Sequence, residues 1–234
     1  MKKLAVIAAA VAAFGFIGTA SAADMPAKAP VYKAPMMAPI YNWTGLYVGL
    51  EGGYSWGRSQ LQQGPGATNW FDVKGGFIGG TLGYNWQFQN FVLGIETDFA
   101  GSDFKSGPQP SSSTFGCGSG PCETNVTWFG TTRGRLGYAW DRWLVYATGG
   151  WAYGKVHSRI DNTAPFFDDG GKTRSGWTAG GGAEWAFMGN WSAKLEYLHV
   201  DFGNYDIGTS IPTPTATTRL DLVKLGLNYK FWGL

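Results

Sequence analysis

Residues 131–154 read TTRGRLGYAWDRWLVYATGGWAYG. From Thr132 to Trp140, every second residue is uncharged: Thr132, Gly134, Leu136, Tyr138, Trp140. The intervening positions hold Arg133 and Arg135. After Asp141-Arg142 the alternation resumes with Trp143, Val145, Ala147, Gly149, Trp151 and Tyr153. A period of two marks β-strands, and two strands around a two-residue break form a hairpin. One face is apolar and aromatic-ended, and the other carries guanidinium groups.

The same grammar extends outward in both directions. Eight strands are expected at 45–58, 75–88, 91–104, 124–140, 143–156, 174–187, 191–202 and 218–231. Gln89-Asn90, Asp141-Arg142 and Met188-Gly189-Asn190 are tight turns. The other four connections, 59–74, 105–123, 157–173 and 203–217, are long and rich in Gly, Pro, Ser, Thr and Asn. Short turns at one end and long loops at the other are the layout of an outer-membrane barrel. Taken strand by strand, one face gathers 45 positions without an Asp, Glu, Lys or Arg, in a chain that is 15% charged. The opposite face carries Glu51, Glu96, Asp98, Glu184 and Glu196 with Arg133, Arg135, Lys194, Lys224 and Lys230, among small and polar residues. Apolar outside and polar inside is the order a bilayer demands, and closure leaves no unpaired edge in hydrocarbon. Eight strands leave a bore that side chains can fill. The charges are therefore expected to form an internal network, Arg133 and Arg135 meeting Glu51, Glu96, Glu184 or Glu196. A narrow ion path through that network is the alternative.

Aromatic residues flank all three tight turns: Trp86, Phe88 and Phe91, then Tyr138, Trp140 and Trp143, then Trp185, Phe187 and Trp191. Tyr229 and Phe231 end the last strand at the same level. This is the pattern of an interfacial girdle.

Composition supports the reading. The chain has 234 residues, with 37 Gly and 12 Trp. Disorder is excluded by so many aromatics. The glycines follow no three-residue period, so collagen is excluded. No Lys/Arg cluster suits nucleic acid, and none is expected as a partner. Met1-Lys2-Lys3, the apolar run from Leu4 to Gly18 and Ala20-Ser21-Ala22 read as an export signal cleaved after Ala22. Without Lys2 and Lys3 the chain is formally neutral, with 16 basic and 16 acidic residues. Residues 23–40 hold four prolines and read as an extended linker. The barrel then occupies 41–234.

Trp43–Gly49 (WTGLYVG), Thr131–Ala139, Trp143–Gly154, Lys194–Leu198 (KLEYL) and Gly226–Phe231 (GLNYKF) resemble the outer-membrane immunogenic, porin-like β-barrels of alphaproteobacteria, within the OmpA-type β-barrel superfamily. The resemblance spans almost the whole exported chain. It implies an eight-stranded antiparallel up-and-down barrel at the cell surface; it does not imply an enzyme, and none is expected. It also implies that Tyr229 and Phe231 are read by the barrel-assembly machinery, although Trp232-Gly233-Leu234 follow them. The expected surroundings are outer-membrane lipid and lipopolysaccharide, with host or surface ligands meeting the long loops.

Three smaller signals complete the reading. Cys117 and Cys122, spaced CGSGPC, are expected to form a disulfide after export. No metal site or cofactor is expected. His157, beside Ser158, and His199, near Asp201, are the only histidines. They are the residues a lipid-modifying enzyme would have to use. A soluble ligand-binding barrel would instead need an apolar lumen.

Overall fold

The computed structural model describes residues 41–63, 66–67, 70–106, 122–160, 167–168, 171–206 and 215–231. Eight long antiparallel strands make up nearly all of them: β1 Gly45–Gln63, β2 Phe71–Phe88, β3 Phe91–Ser106, β4 Cys122–Trp140, β5 Trp143–Ile160, β6 Lys172–Met188, β7 Trp191–Asp206 and β8 Thr215–Lys230. Each strand pairs with its neighbours in sequence, and β8 pairs with β1 from Tyr47↔Lys230 to Gln62↔Thr215. The sheet is thus a closed up-and-down barrel with no free edge. Two further two-residue strands, Gly66–Ala67 and Phe167–Asp168, lengthen the rim at β1 and β5.

The turns fall where alternation breaks. Gln89, Asp141 and Gly189 take φ of 55°, 53° and 51°, so the three turns share one left-handed first residue. Only the third differs from expectation. Met188 ends β6, the turn is Gly189-Asn190, and a register shift between Ala186 and Met188 absorbs the extra residue. This is the geometry of a bulge, which adds one residue without flipping the strand.

The strands run further than the sequence suggested, chiefly at the loop end. They are 16 to 19 residues long, whereas about 9–11 tilted residues cross a membrane. The stretches 59–63, 71–74, 203–206 and 215–217, expected in loops, are strand. Asp72, Lys74, Asn204 and Asp206 sit on the outward face and so mimic loop composition, while Ser59 is buried inside. The export signal, the linker, Cys117 and Trp232–Leu234 lie outside the described residues, as does the side chain of Cys122.

Parity puts the same residues outside as the alternation predicted. Leu50, Ile78, Trp151 and Leu225 are each at least 65% exposed. At the turn end the outward aromatics touch ring to ring: Phe91 with Tyr138 (centroids 5.6 Å), Trp143 with Trp185 (5.8 Å) and Trp191 with Tyr229 (5.1 Å).

Candidate functional site

The lumen has three layers, stacked along the barrel axis. At the turn end Trp43, Val92, Ala139, Leu144, Tyr146 and Ala186 form a small apolar cluster. Tyr41 packs against it, and burial, with Glu184 nearby, pushes its hydroxyl above the ordinary tyrosine range. In the middle lies a belt of charge. The loop-end half is filled by a second apolar cluster that includes Phe77, Phe104, Phe129, Leu198, Phe202 and Leu222.

The charged belt holds Glu51, Glu96, Asp98, Arg133, Arg135, Glu184, Lys194, Glu196 and Lys224, all buried. Arg133 is its hub. Its Nη2 donates to Glu96 Oε1 (2.7 Å) and Asp98 Oδ2 (2.8 Å), and its Nη1 to Glu196 Oε1 (2.9 Å). Its Nε donates to Thr131 Oγ1 at 2.7 Å. Arg135, two residues along the same face, donates to Glu184 Oε2 (2.8 Å) and to the Tyr47 hydroxyl (2.8 Å). Its guanidinium carbon lies 3.9 Å from the centroid of the Tyr146 ring. Lys224 Nζ sits 2.8 Å from Asp98, 3.1 Å from Glu196 and 3.2 Å from Glu51. Lys194 Nζ lies 3.0 Å from Glu96 and 3.3 Å from Glu51. Charges removed from water in this way need partners, and here each has at least one within ion-pair distance.

Tyr47, Tyr146 and Ser192 join the belt without having been singled out by sequence, whereas alternation had placed Asn228 on this face. Tyr47 donates its hydroxyl to Glu96 Oε2 (2.7 Å), and Tyr146 donates to Glu196 Oε2 (2.9 Å). Ser192 and Asn228 both donate to Glu184 Oε1. Parity was the available signal. Tyr47 is two residues before the inward Gly49, and Tyr146 two before the inward Thr148. Gly83 leaves the space Tyr47 occupies, since a Cβ there would overlap the tyrosine hydroxyl. Gly83→Ala is expected to displace Tyr47 from Glu96 and cost about 1–3 kcal/mol in urea unfolding. An unchanged midpoint would show that the Tyr47 contact carries no stability.

Lys230, grouped with the lumen charges by parity, is outside the network. It sits at the turn end, donates to the Asn42 carbonyl and lies 4.2 Å from the Tyr41 ring centroid. The belt alone therefore has five carboxylates against four cations.

The wholly polar lumen expected from sequence needs a larger correction. Inside the loop-end half, Val73, Val156, Val200 and Leu220 are apolar and buried. On the outside of the same segments, Asp72, Lys74, Lys155 and Arg219 are exposed. Further down β8 the assignment reverses, with Lys224 and Asn228 inside and Leu225 and Leu227 outside. Parity is preserved while polarity inverts. An apolar band some ten residues tall gives way to a stub built like a water-soluble barrel. The physical reason is the solvent outside: hydrocarbon below, water above.

The histidines do not form a joint site. Register sets His199 level with Gly149 of β5, eight residues from His157. His199 Nδ1 is 2.8 Å from Asp221 Oδ1, which also accepts from the Tyr197 hydroxyl at 2.6 Å. Asp201, expected beside His199, instead accepts from Arg219 Nε at 3.1 Å. The side chain of Ser158 is outside the described residues.

A closed eight-stranded barrel with a charged interior, an aromatic girdle and a lipophilic waist defines an outer-membrane β-barrel. The chain belongs to the family described as the outer membrane protein beta-barrel domain, whose model matches residues 9–231. It is 40% identical over 244 residues to the 31 kDa outer-membrane immunogenic protein of Brucella melitensis, covering 97% of this chain and 99% of that one. It is 31% identical over 201 residues to a 22 kDa outer membrane protein of Rhizobium leguminosarum, covering 85% of this chain and 82% of that one. Among solved structures, the outer membrane protease OmpT of Escherichia coli superposes with a TM-score of 0.53 at 9% identity, over 84% of this chain and 99% of that one. That likeness concerns the fold alone. The protein is an outer-membrane protein of the Gram-negative type.

Proposed function

We propose that the protein is a non-catalytic, structural barrel of the outer membrane that contributes to envelope integrity and presents its long connections to the surroundings. Its lumen is closed to solutes. The observation that carries this reading is the layered interior: a closely ion-paired belt between two apolar clusters. An ion passing through would have to displace buried carboxylate–guanidinium pairs and then cross apolar packing, both costly steps. In planar bilayers the refolded protein is expected to hold baseline current. Reproducible discrete steps would instead establish the narrow porin.

The tight turns face the periplasm and the long connections face outward, because an even number of strands returns both ends to one side. Protease added to intact cells should therefore cut within 107–121 or 161–166. Cleavage confined to Gln89-Asn90 would reverse the orientation.

A further inference from the structure

A cavity of about 690 Å³ opens on the outer wall where β2, β1, β8 and β7 lie side by side. Two cross-strand rows frame it. The row nearer the loops is Asp72, Arg58, Arg219, Asp201, and the row below is Lys74, Trp56, Asp221, His199. Arg58 and Arg219 are therefore direct neighbours between Asp72 and Asp201, a juxtaposition of like charges that an anion seated between them would relieve.

Most of the other charges here are committed. Asp201 takes Arg219 from one side, and Tyr197 with His199 occupies Asp221. The side chains of Arg58 and Lys74 make no hydrogen bond or ion pair with any described residue, and Asp72 stands opposite Arg58 without an ion pair. Trp56 and Trp70 flank the opening, each 43% exposed, and Arg219 lies over the Trp70 ring.

The height of the cavity identifies the ligand class. Trp56 is ten residues along β1 from Leu46, at the girdle end of the outward row. At about 3.3 Å per residue and a tilt near 40°, that is roughly 25 Å, the height of the apolar band of such barrels. Arg58 and Lys74 thus stand where headgroups begin, with Trp56 at the acyl boundary.

We propose that this cavity seats a phosphate on the head of an outer-leaflet lipid, gripped by Arg58, Lys74 and the free edge of Arg219. Guanidinium forks match phosphate oxygens in geometry and charge. The assignment to the outer leaflet rests on the orientation proposed above, which the protease experiment tests separately.

The test uses the refolded protein in detergent, titrated with lipid A and followed by native mass spectrometry. Heat-modified gel mobility confirms that each variant is folded. The double variant Arg58→Gln, Lys74→Gln is expected to bind at least tenfold more weakly. Lys155→Gln with Lys172→Gln, which removes the same charge from exposed positions on β5 and β6, should bind as the parent does. Equal weakening in both pairs, or in neither, would overturn the proposal. So would undiminished binding of dephosphorylated lipid A, because the phosphate would then not be read. Inorganic pyrophosphate binding as tightly as lipid A would make the occupant a soluble phosphate and overturn the lipid assignment.

Discussion

Replacing Arg133 with alanine is expected to lower stability by about 3–5 kcal/mol in urea unfolding, the largest effect of any single lumen substitution. The reason lies in what it leaves behind. Glu96, Asp98 and Glu196 each lose a contact of 2.7–2.9 Å, at positions where water does not reach. Lys194 and Lys224 remain beside them, but the belt then has three cations against five carboxylates. Arg133→Lys should recover only part of the loss, since a single ammonium nitrogen cannot reproduce the planar fork, which meets Glu196 from Nη1, Glu96 and Asp98 from Nη2 and Thr131 from Nε. Bilayer current should stay at baseline in both variants, because the apolar clusters above and below are untouched. A stability unchanged by Arg133→Ala would mean that the belt is hydrated and its pairs worth little.

On the outer wall, Leu225→Arg is expected to cost about 2–4 kcal/mol when unfolding is measured in lipid vesicles. Leu225 is 65% exposed, lies on the lipophilic waist of β8 and pairs with Leu195. Asp103→Arg changes charge on the same outward face, but in the stub beyond the waist, and breaks only an exposed pair with Lys105. Exposed pairs contribute little, so its cost should stay below about 1 kcal/mol. Equal costs at the two positions would remove the distinction between a lipid-facing waist and a water-facing stub.

Closure, strand order and facing were legible because alternation is local. Arg133 and Arg135 flank Gly134 in sequence, and no long-range information is needed to put them on one face. The membership of the belt was readable for the same reason. The partners were not. Arg133 meets Glu196 across 63 residues, and Lys224 meets Glu51 across 173. These contacts depend on strand stagger and on the width of the bore, neither of which a period of two contains. The stub was missed for a different reason. Asp72 and Lys74 look like loop residues, and Arg58 and Arg219 like the last residues at a strand end, when apolar-outside is assumed along the whole strand. Once the outside solvent changes, the same residues are ordinary surface charges over an apolar interior. Tyr47 and Tyr146 were passed over because the inward face was read for its charges and its small polar residues, and phenol hydroxyls were not counted among them.

The reach of the charge belt also bears on how the barrel is made. Its carboxylates and cations come from β1, β3, β4, β6, β7 and β8, with β5 contributing through Tyr146. Glu51 on the first strand is neutralised by Lys224 on the last and Lys194 on the one before it. A nascent sheet lacking its final hairpin would present Glu51 with no cation, and Arg133 without Glu196, on a surface facing lipid or an open cleft. Partial structures are therefore penalised twice, by an open backbone edge and by stranded charge. Insertion is expected to be all-or-none, with the C-terminal hairpin acting as the latch that permits the rest to persist.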